Sequence, residues 1–466
     1  MNNSIEELSK PSCSSLLAPA GCGKTEAIAR AVAISNGRQL ILTHTHAGVR
    51  SIKRKLKANQ VSNSRFNLET IDGWLLKYAA SFPSMSGFTE IIPTGDLWKS
   101  VRTAANNLFS SSIVREIIST TYNGVFIDEY QDCTLSQHAI IRKLAEIVPV
   151  RVLGDPLQGI LGFRKDRLVE WNEDVIPIFT PLEELRVPWR WKNKNPELGE
   201  WLLKLRFDLL EGKRIDLSRI SEITWHKFDP KTIYTITKSC MNKQGTFLAI
   251  QMHANMAHNF AKNYGGKLQS MEEMECKDLM SATKTFECST GLALIQAVIK
   301  FIFACMSKKD YLSDVERRLR NPKAPNFSTM KNSLLGNSFQ RLLYERDYPS
   351  IATILRATLD NKSLNIHRRE LMLEMLRSLD TMETGIYTDL SEAAWEVRSR
   401  TRRFGGNLGN AIVSRPALIK GLEFDNVLIP NSDTLEGVKN FYVSATRAIH
   451  NLTIISSSPT TFFKMI

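Results

Sequence analysis

A short apolar run near the N-terminus leads through two glycines into a helix-forming segment, and few folds accommodate this order. The run LLAPAGCGKT occupies residues 16–25, between a predicted strand at 14–18 and a predicted helix at 25–34. Gly21 and Gly23 allow the backbone to turn its N–H groups towards phosphate oxygens, and the start of the helix adds its positive dipole end. This strand–loop–helix unit predicts a parallel α/β sheet with a phosphate site at the carboxyl ends of its strands.

The loop offers both backbone and side-chain contacts for ATP. Lys24 can reach the β- and γ-phosphates, and the Thr25 hydroxyl can bind Mg²⁺. The predicted ATP-binding residues of the loop are Ala20, Gly21, Cys22, Gly23, Lys24 and Thr25. Ala18 stands where the usual pattern has its first glycine, and an ordinary strand-to-helix turn is the alternative interpretation.

The run VFIDE, at residues 125–129, is an apolar strand that ends in two carboxylates. Ligands of parallel sheets lie at such strand ends. We expect Asp128 to hold Mg²⁺ through water and Glu129 to polarise the water that attacks the γ-phosphate. The alternative is an acidic turn that caps the helix predicted from Leu135.

Strand and helix patterns alternate along the N-terminal part of the chain and return after a helical region. Residues 75–120 predict a small helical insertion, and residues 307–403 predict a larger one. The expected fold class is therefore α/β, with two parallel sheets and two helical insertions. Strands are predicted at 14–18, 39–44, 121–127, 150–153, 246–250, 411–414, 426–430 and 452–456, and helices at 25–34, 47–60, 135–147 and 254–264.

The composition favours a soluble protein with a polyanionic partner. The 466 residues include 61 Lys and Arg against 48 Asp and Glu, a formal net charge of +13. This excess attracts nucleic acid, although a merely basic soluble protein is the alternative. The 7 cysteines are scattered without a CxxC pair, which indicates a reducing compartment and no zinc ribbon. The N-terminus is too polar for a signal peptide, and the apolar run at 297–306 predicts a buried helix too short to span a bilayer, so we expect a cytoplasmic protein without membrane contact.

The phosphate loop together with DEYQD, at residues 128–132, resembles the UvrD, Rep and PcrA family of superfamily 1 helicases. Further matches follow in the order of the family's motifs, at residues 41–47, 70–74, 153–164, 185–190, 419–425 and 442–448. Three departures accompany them. Ile71-Asp72 replaces Phe-His, Arg415-Pro416-Ala417 replaces Thr-x-His, and the glutamine that reads adenine upstream of the loop is missing.

The resemblance implies roles for residues in these motifs. It implies that Gln158 senses the γ-phosphate, that Trp189 stacks on adenine, and that Glu423 lies near the nucleotide. Arg190 and Arg447 would reach the γ-phosphate and, with Glu129 and Gln158, form the catalytic set. The implied contacts with DNA are Thr43, Thr45, Thr70 and Phe163, where Phe163 takes the place of an aromatic that stacks on a base.

The resemblance also implies a domain order and an activity. Residues 1–187 would form a first RecA-like motor domain, residues 188–306 and 404–466 a second one, and residues 307–403 a helical insertion. The implied function is that of a helicase or translocase that uses ATP and Mg²⁺ to move 3′ to 5′ on single-stranded or tailed DNA. The alternative is an ATP-gated nucleic-acid sensor or regulatory subunit that does not unwind. Compact proteins similar to this family act with nucleases in anti-phage systems such as Gabija, so a protein partner, and specifically a nuclease, is a further expectation.

Overall fold

The strands that the structure describes form two parallel six-stranded sheets and one small antiparallel pair. The computed structural model describes residues 2–88, 97–162, 166–273, 276–307, 309–320, 325–404 and 409–461. The strands are β1 Ser14–Leu17, β2 Gln39–Thr43, β3 Phe66–Thr70, β4 Gly124–Ile127, β5 Val150–Gly154, β6 Thr180–Pro181, β7 Ile215–Asp216, β8 Thr224–Lys227, β9 Phe247–Ile250, β10 Gln269–Ser270, β11 Ala411–Ser414, β12 Phe424–Ile429, β13 Ala448–Ser456 and β14 Thr460–Thr461.

Helices connect these strands and fill two long intervals between them. The α-helices are α1 Asn2–Ser9, α2 Lys24–Ile34, α3 His46–Ala58, α4 Ile71–Ser81, α5 Pro83–Ser86, α6 Leu97–Leu108, α7 Ser112–Thr121, α8 Leu135–Ala145, α9 Pro196–Leu210, α10 Pro230–Met241, α11 Ala254–Lys262, α12 Lys277–Cys288, α13 Gly291–Cys305, α14 Ser313–Leu319, α15 Ser333–Tyr344, α16 Tyr348–Asp360, α17 Arg369–Met382, α18 Leu390–Phe404, α19 Pro416–Ile419 and α20 Gly437–Ala445. Among the described residues, none of these helices is both long enough and apolar enough to cross a membrane.

The first sheet has the strand order β3-β2-β4-β5-β1-β6, and its strands pair in parallel. Its side chains alternate between two cores because successive residues of a strand point to opposite faces. Leu40 and Leu42 of β2 belong to one buried cluster, whereas Ile41 between them belongs to another. Helices therefore cover both faces of this sheet, as the near-continuous apolar strands require.

The second sheet has the order β10-β11-β9-β12-β13-β8. Parallel pairings join β10, β11, β9 and β12, and a further parallel pairing joins β13 to β8. The prediction of two parallel α/β sheets with many helices is thus confirmed.

The chain forms two compact units. The first comprises Met1–Lys227, Lys420–Glu423 and Leu435–Ile466, and the second comprises Phe228–Ile419 and Phe424–Thr434. The first unit contains the first sheet and both of its cores. The second contains a large helical core to which α12, α13 and α15 to α17 contribute, and α13 is the buried helix predicted from the apolar run. The division into motor domains and insertions implied by the resemblance stays a prediction.

Most predicted elements are confirmed within a residue or two, with two informative exceptions. The strand predicted from Thr121 begins only at Gly124, because α7 continues to Thr121. Strand β13 begins at Ala448, well before the predicted Leu452. The sequence also gave no sign of β3, whose polar Asn67 and Glu69 occupy an edge strand.

Candidate nucleotide-binding site

The predicted phosphate loop lies between β1 and α2, and its glycines hold conformations that other residues rarely adopt. Gly21 has φ of +72° and Gly23 has φ of +89°. A Cβ atom on Gly21 would lie 2.3 Å from Cζ3 of Trp191, so the loop has no room for a side chain there. Because Gly23 is the N-cap of α2 and brings no side chain, no capping side chain bonds the first N–H groups of that helix. Such N–H groups are suited to bind phosphate oxygens.

Lys24, the first residue of α2, extends to the two carboxylates at the end of β4. Its Nζ lies 2.8 Å from Oε2 of Glu129 and 3.7 Å from Oδ1 of Asp128, and both Lys24 and Asp128 are buried. Burial raises the pKa of Asp128 to about 6, against the opposing effect of Lys24. Burial would also raise the pKa of Glu129, but the ion pair with Lys24 outweighs it and lowers that pKa. The three charges predicted to act on ATP are therefore in contact.

The backbone at Glu129 is held in the left-handed region, with φ of +57°. This conformation is uncommon for a residue with a side chain, and such residues occur disproportionately at functional sites. Gln131 stabilises the turn, because its Nε2 donates to Oε2 of Glu129 at 2.5 Å while its Oε1 accepts from the N–H of Asp155 at 3.0 Å. One amide therefore connects the ends of β4 and β5.

Asp155 is the centre of a buried polar network behind the loop. It accepts from Nε2 of Gln158 at 2.9 Å and from Nε of Arg206 at 3.1 Å. Arg206, which is only 2% exposed, also donates to Oε1 of Glu184 at 2.8 Å. The sequence motifs identified Gln158 but gave no sign of Arg206, which comes from the following helix α9. Arg206 positions Asp155, and through it Gln158.

Arg447, between α20 and β13, is buried without an ion pair in the part of the chain that the structure describes. Its guanidinium donates to neutral oxygens only, which are the carbonyls of Val443 at 2.9 Å and Leu422 at 3.2 Å, Oγ1 of Thr446 at 3.0 Å and Oε1 of Gln158 at 3.4 Å. Burial, and then the nearby charge of Arg190, lowers its pKa to about 9. The site therefore holds a cation whose charge is incompletely compensated.

Arg190 follows the exposed Trp189 and reaches the same region. Its Nε lies 2.8 Å from Oε1 of Glu423, and its terminal nitrogen donates to the carbonyl of Thr446 at 2.8 Å. The N–H of Arg190 also donates to the carbonyl of Gly21 at 3.1 Å, which fixes it beside the phosphate loop. Trp189 is 41% exposed, with Nζ of Lys192 4.5 Å from its ring centroid. An exposed indole at this place is compatible with the predicted stacking on adenine.

Two further residues, which the sequence reasoning did not assign, border the site. Lys420 pairs with the carboxylate of Asp132 and donates to the carbonyl of Gln158. Tyr442 is buried and shares a hydrogen bond with the backbone of Ala20 in the phosphate loop. Cys22 in the same loop is buried too, and burial raises its pKa to about 12, so it is a thiol rather than a thiolate. Lys420 lies within a matched motif, so a closer reading of that motif could have found it.

Two of the threonines predicted to contact DNA are helix caps. Thr45 is the N-cap of α3 and accepts from the N–H of Gly48 at 3.0 Å. Thr70 is the N-cap of α4 and accepts from the N–H of Gly73 at 3.1 Å. Thr43 is buried at the end of β2. Phe163 lies outside the described residues. The DNA contacts of all four residues stay predictions.

The predicted Mg²⁺ ligands fit a hard cation in chemistry. Thr25 is the second residue of α2 and supplies a hydroxyl oxygen, and Asp128 supplies a carboxylate whose charge is disfavoured by burial. Mg²⁺ is usually bound by one or two such oxygens together with waters and substrate phosphates rather than by a full protein cage. Among the described residues, no group of three or more His, Cys, Asp or Glu side chains could hold a metal ion.

Residues 96–172 match the family model of the UvrD/REP helicase N-terminal domain. This segment contains both the acidic motif at 128–132 and the whole motif at 153–164. The resemblance inferred from the motifs is therefore confirmed over this segment.

Two solved helicase structures are similar to the chain. One is the Pif1 helicase from Bacteroides in complex with ADP-AlF3 and ssDNA, with 13% identity, a TM-score of 0.32 and coverage of 56% of this chain and 55% of that one. The other is Bacteroides sp Pif1 in complex with ADP-AlF4, with 15% identity, a TM-score of 0.32 and coverage of 57% of both chains. The chain thus spans little more than half of the length of either helicase. No curated protein matches it.

Proposed function

We propose that this protein is an ATP-hydrolysing helicase or translocase that moves along single-stranded DNA. The observation that carries the proposal is Arg447, a buried cation whose hydrogen-bond partners among the described residues are all neutral oxygens, and which is close enough to Glu129 to interact with its charge. Burying an unpaired charge is costly, so such a residue is expected where an anion binds during the functional cycle. The triphosphate of ATP is the anion that fits a glycine-rich loop at a helix N-terminus.

In the proposed reaction, the residues around the loop have different roles in the hydrolysis of ATP. Lys24 and the N–H groups at the start of α2 bind phosphate oxygens, and Arg190 and Arg447 stabilise the charge that develops on the transferred phosphoryl group. Glu129, whose lowered pKa keeps it ionised, accepts a hydrogen bond from the attacking water and orients it. Thr25 and Asp128 would hold Mg²⁺, which neutralises charge on the phosphate oxygens when bound.

The proposed DNA substrate rests on the family match and on charge. Helix α3 follows directly after Thr45, and its exposed basic side chains include Lys53, Arg54 and Lys57. Such side chains bind the phosphate backbone without regard to sequence. Movement from 3′ to 5′ and cooperation with a protein partner are implied by the resemblance alone, and they stay proposals.

The test separates binding of ATP from its hydrolysis with two variants. Lys24→Ala should lose nucleotide affinity and hydrolysis together. Glu129→Gln should still bind a fluorescent ATP analogue but hydrolyse ATP about 100-fold more slowly or worse, because it lacks the positioned base. Glu146→Gln, which changes an exposed carboxylate in the same unit, is the matched control and should hydrolyse normally.

Each variant is assayed for phosphate release with and without a single-stranded oligonucleotide, and the wild-type protein is assayed for displacement of streptavidin from biotinylated DNA ends. Stimulation by DNA together with displacement at one end supports a translocase. Hydrolysis without any displacement would instead support a sensor that uses ATP but does not move. Undiminished hydrolysis by Glu129→Gln would contradict the catalytic assignment.

A further inference from the structure

Two tyrosines of the second unit form a stacked pair at its surface. The rings of Tyr234 in α10 and Tyr264, just after α11, lie 5.3 Å apart between centroids with an interplanar angle of 9°. Phe260 supports Tyr264 at 5.1 Å. Tyr264 is buried, whereas Tyr234 is 50% exposed. Because Tyr264 covers one face of Tyr234, the exposed area belongs to the opposite face and the ring edge.

The surrounding chain has an unusual charge pattern. The stretch 230–271 contains no Asp, Glu or Arg, although it contains five lysines: Lys231, Lys238, Lys243, Lys262 and Lys267. All five are exposed, and none forms an ion pair with a residue that the structure describes. A charged surface of a soluble protein ordinarily mixes both signs, so an acid-free stretch of this length indicates an anionic ligand.

Lysines lie on both segments that carry the tyrosine pair. Lys231, Tyr234 and Lys238 are spaced by three and four residues along α10, so they lie on one face of that helix. Lys262 ends α11 two residues before Tyr264, and Lys267 follows three residues after it. The exposed ring of Tyr234 therefore shares its helix face with two lysines, and the segment of Tyr264 supplies two more.

We propose that this surface, formed by Tyr234, Tyr264, Lys231, Lys238, Lys262 and Lys267 and here called the tyrosine platform, binds single-stranded DNA. One base stacks on the open face of Tyr234, and the lysines contact the phosphates on either side of it. Stacking of a base on an aromatic side chain within a positively charged surface is the usual basis of sequence-independent binding to single strands. This contact is additional to the threonine contacts predicted in the first unit. It rests on the proposed function only for the choice of DNA, and it does not require ATP hydrolysis.

Single-stranded DNA fits this surface better than other anions do. Bases within a duplex are stacked on one another and do not offer a free face to a protein ring. An acidic peptide would be attracted by the lysines, but it would leave the aromatic face of Tyr234 unused. The combination of an open ring and unpaired lysines therefore favours a strand with unpaired bases.

The direct test uses the full-length protein without nucleotide and a single-stranded thymidine oligonucleotide that carries 5-iodo-deoxyuridine. Irradiation should crosslink the oligonucleotide to Tyr234, which peptide mass spectrometry identifies. In fluorescence anisotropy, Tyr234→Ala should bind the same DNA about tenfold more weakly, whereas Tyr234→Phe keeps the stacking ring and should bind nearly as the wild type does. Tyr344→Ala is the matched control, because Tyr344 is a tyrosine of the same unit that is 82% exposed and has no ring partner among the described residues.

A second variant tests the phosphate contacts separately. Lys231→Gln with Lys238→Gln should reduce the slope of log affinity against log salt by about 1.4, since each lost phosphate contact on a single strand contributes about 0.7. Lys284→Gln with Lys300→Gln removes two exposed lysines elsewhere in the unit and should leave the slope unchanged.

Thermal melts establish that each variant is folded. Crosslinking at Tyr234, weaker binding by Tyr234→Ala and recovery in Tyr234→Phe would together support the platform. Equal binding by Tyr234→Ala and wild type with no crosslink in α10 would overturn it, and so would polyglutamate competing as well as DNA. None of these DNA-binding measurements requires ATP hydrolysis, so the Glu129→Gln protein should give the same results as the wild type. The platform and the proposed function can therefore fail independently of each other.

Discussion

Two buried arginines, Arg368 of the second unit and Arg447 of the first, are in opposite electrostatic states. In the second unit, Arg368 donates to both carboxylate oxygens of Glu272, at 2.7 and 2.6 Å, and to Asp278 at 2.7 Å. Burial alone would lower its pKa, but this pairing raises the pKa above the usual value. In the first unit, burial lowers the pKa of Arg447, which is bonded only to neutral oxygens.

The paired state is that of an arginine that stabilises the fold, and we propose that the other is that of an arginine held for a ligand. A cation whose pKa is raised by folding contributes to stability at neutral pH. A cation whose pKa is lowered costs stability, and for Arg447 that cost is fully present below about pH 9 and is relieved as the pH rises towards the usual arginine pKa. Burial is the same in both cases, so burial by itself does not distinguish a structural charge from a functional one.

Replacing Arg447 should give the largest effect, and it should affect activity rather than stability. Arg447→Gln removes a cation that stabilises transition-state charge, so turnover should fall by about a thousandfold or more. The melting temperature should stay constant or rise, because an uncompensated buried charge is lost. Steady-state phosphate release and calorimetry measure the two. Arg447→Lys, which keeps the charge but loses the planar fork, should also be slow. A marked loss of stability with normal turnover would show that Arg447, like Arg368, stabilises the fold.

Replacing Arg368 should give the converse result. Arg368→Gln leaves Glu272 buried without its partner, which should lower the free energy of unfolding by about 3 kcal/mol or more. Hydrogen exchange in α12 and α17 reports the loss locally. The double variant Arg368→Met with Glu272→Met removes both charges and should recover much of the stability. If the single variant were as stable as the wild type, the ion pair between Arg368 and Glu272 would not contribute to the free energy of unfolding.

A smaller effect should follow from adding an anion to the protein. Pyrophosphate at ten times its dissociation constant should stabilise the wild type by about 1.4 kcal/mol, through binding to the folded state alone. The accompanying rise in melting temperature should shrink in Arg447→Gln and persist in Arg368→Met with Glu272→Met. Sodium chloride at equal ionic strength is the control. An equal rise with chloride would show general screening, and would remove the distinction between the two arginines.

The sequence predicted the local parts of the site well because their signals are local. Gly21 and Gly23 are required by a turn that only glycine adopts readily, and the apolar run before Asp128 has the length and composition of a buried strand. The predicted loop, strand and helices were found where expected. The start of β13 was misjudged because the polar His450 and Asn451 interrupt the apolar run of the strand.

Contacts between distant residues could not be predicted in this way. Arg206 pairs with Asp155, which lies 51 residues earlier in the sequence. The residues around Arg206 in α9 do not indicate whether its side chain is buried or faces solvent. The stacking of Tyr234 on Tyr264 likewise depends on how α10 and α11 lie next to each other. Periodicity identifies which residues share a face of one element, but it does not say which faces of two elements meet. The resemblance carried the assignments of Arg190 and Arg447, and periodicity contributed nothing to them.

The close approach of Gly21 to Trp191 has a mechanical consequence. The ring of Trp191 leaves no space for a single methyl group on the loop, and its Nε1 donates to the carbonyl of Ala448, the first residue of β13, at 2.7 Å. A movement of the loop towards the indole would therefore press on the ring, and the hydrogen bond of the ring leads to the start of that strand. Loop, indole and strand thus form one continuous chain of contacts, along which a change at the phosphate loop would reach a strand more than 400 residues further along the sequence.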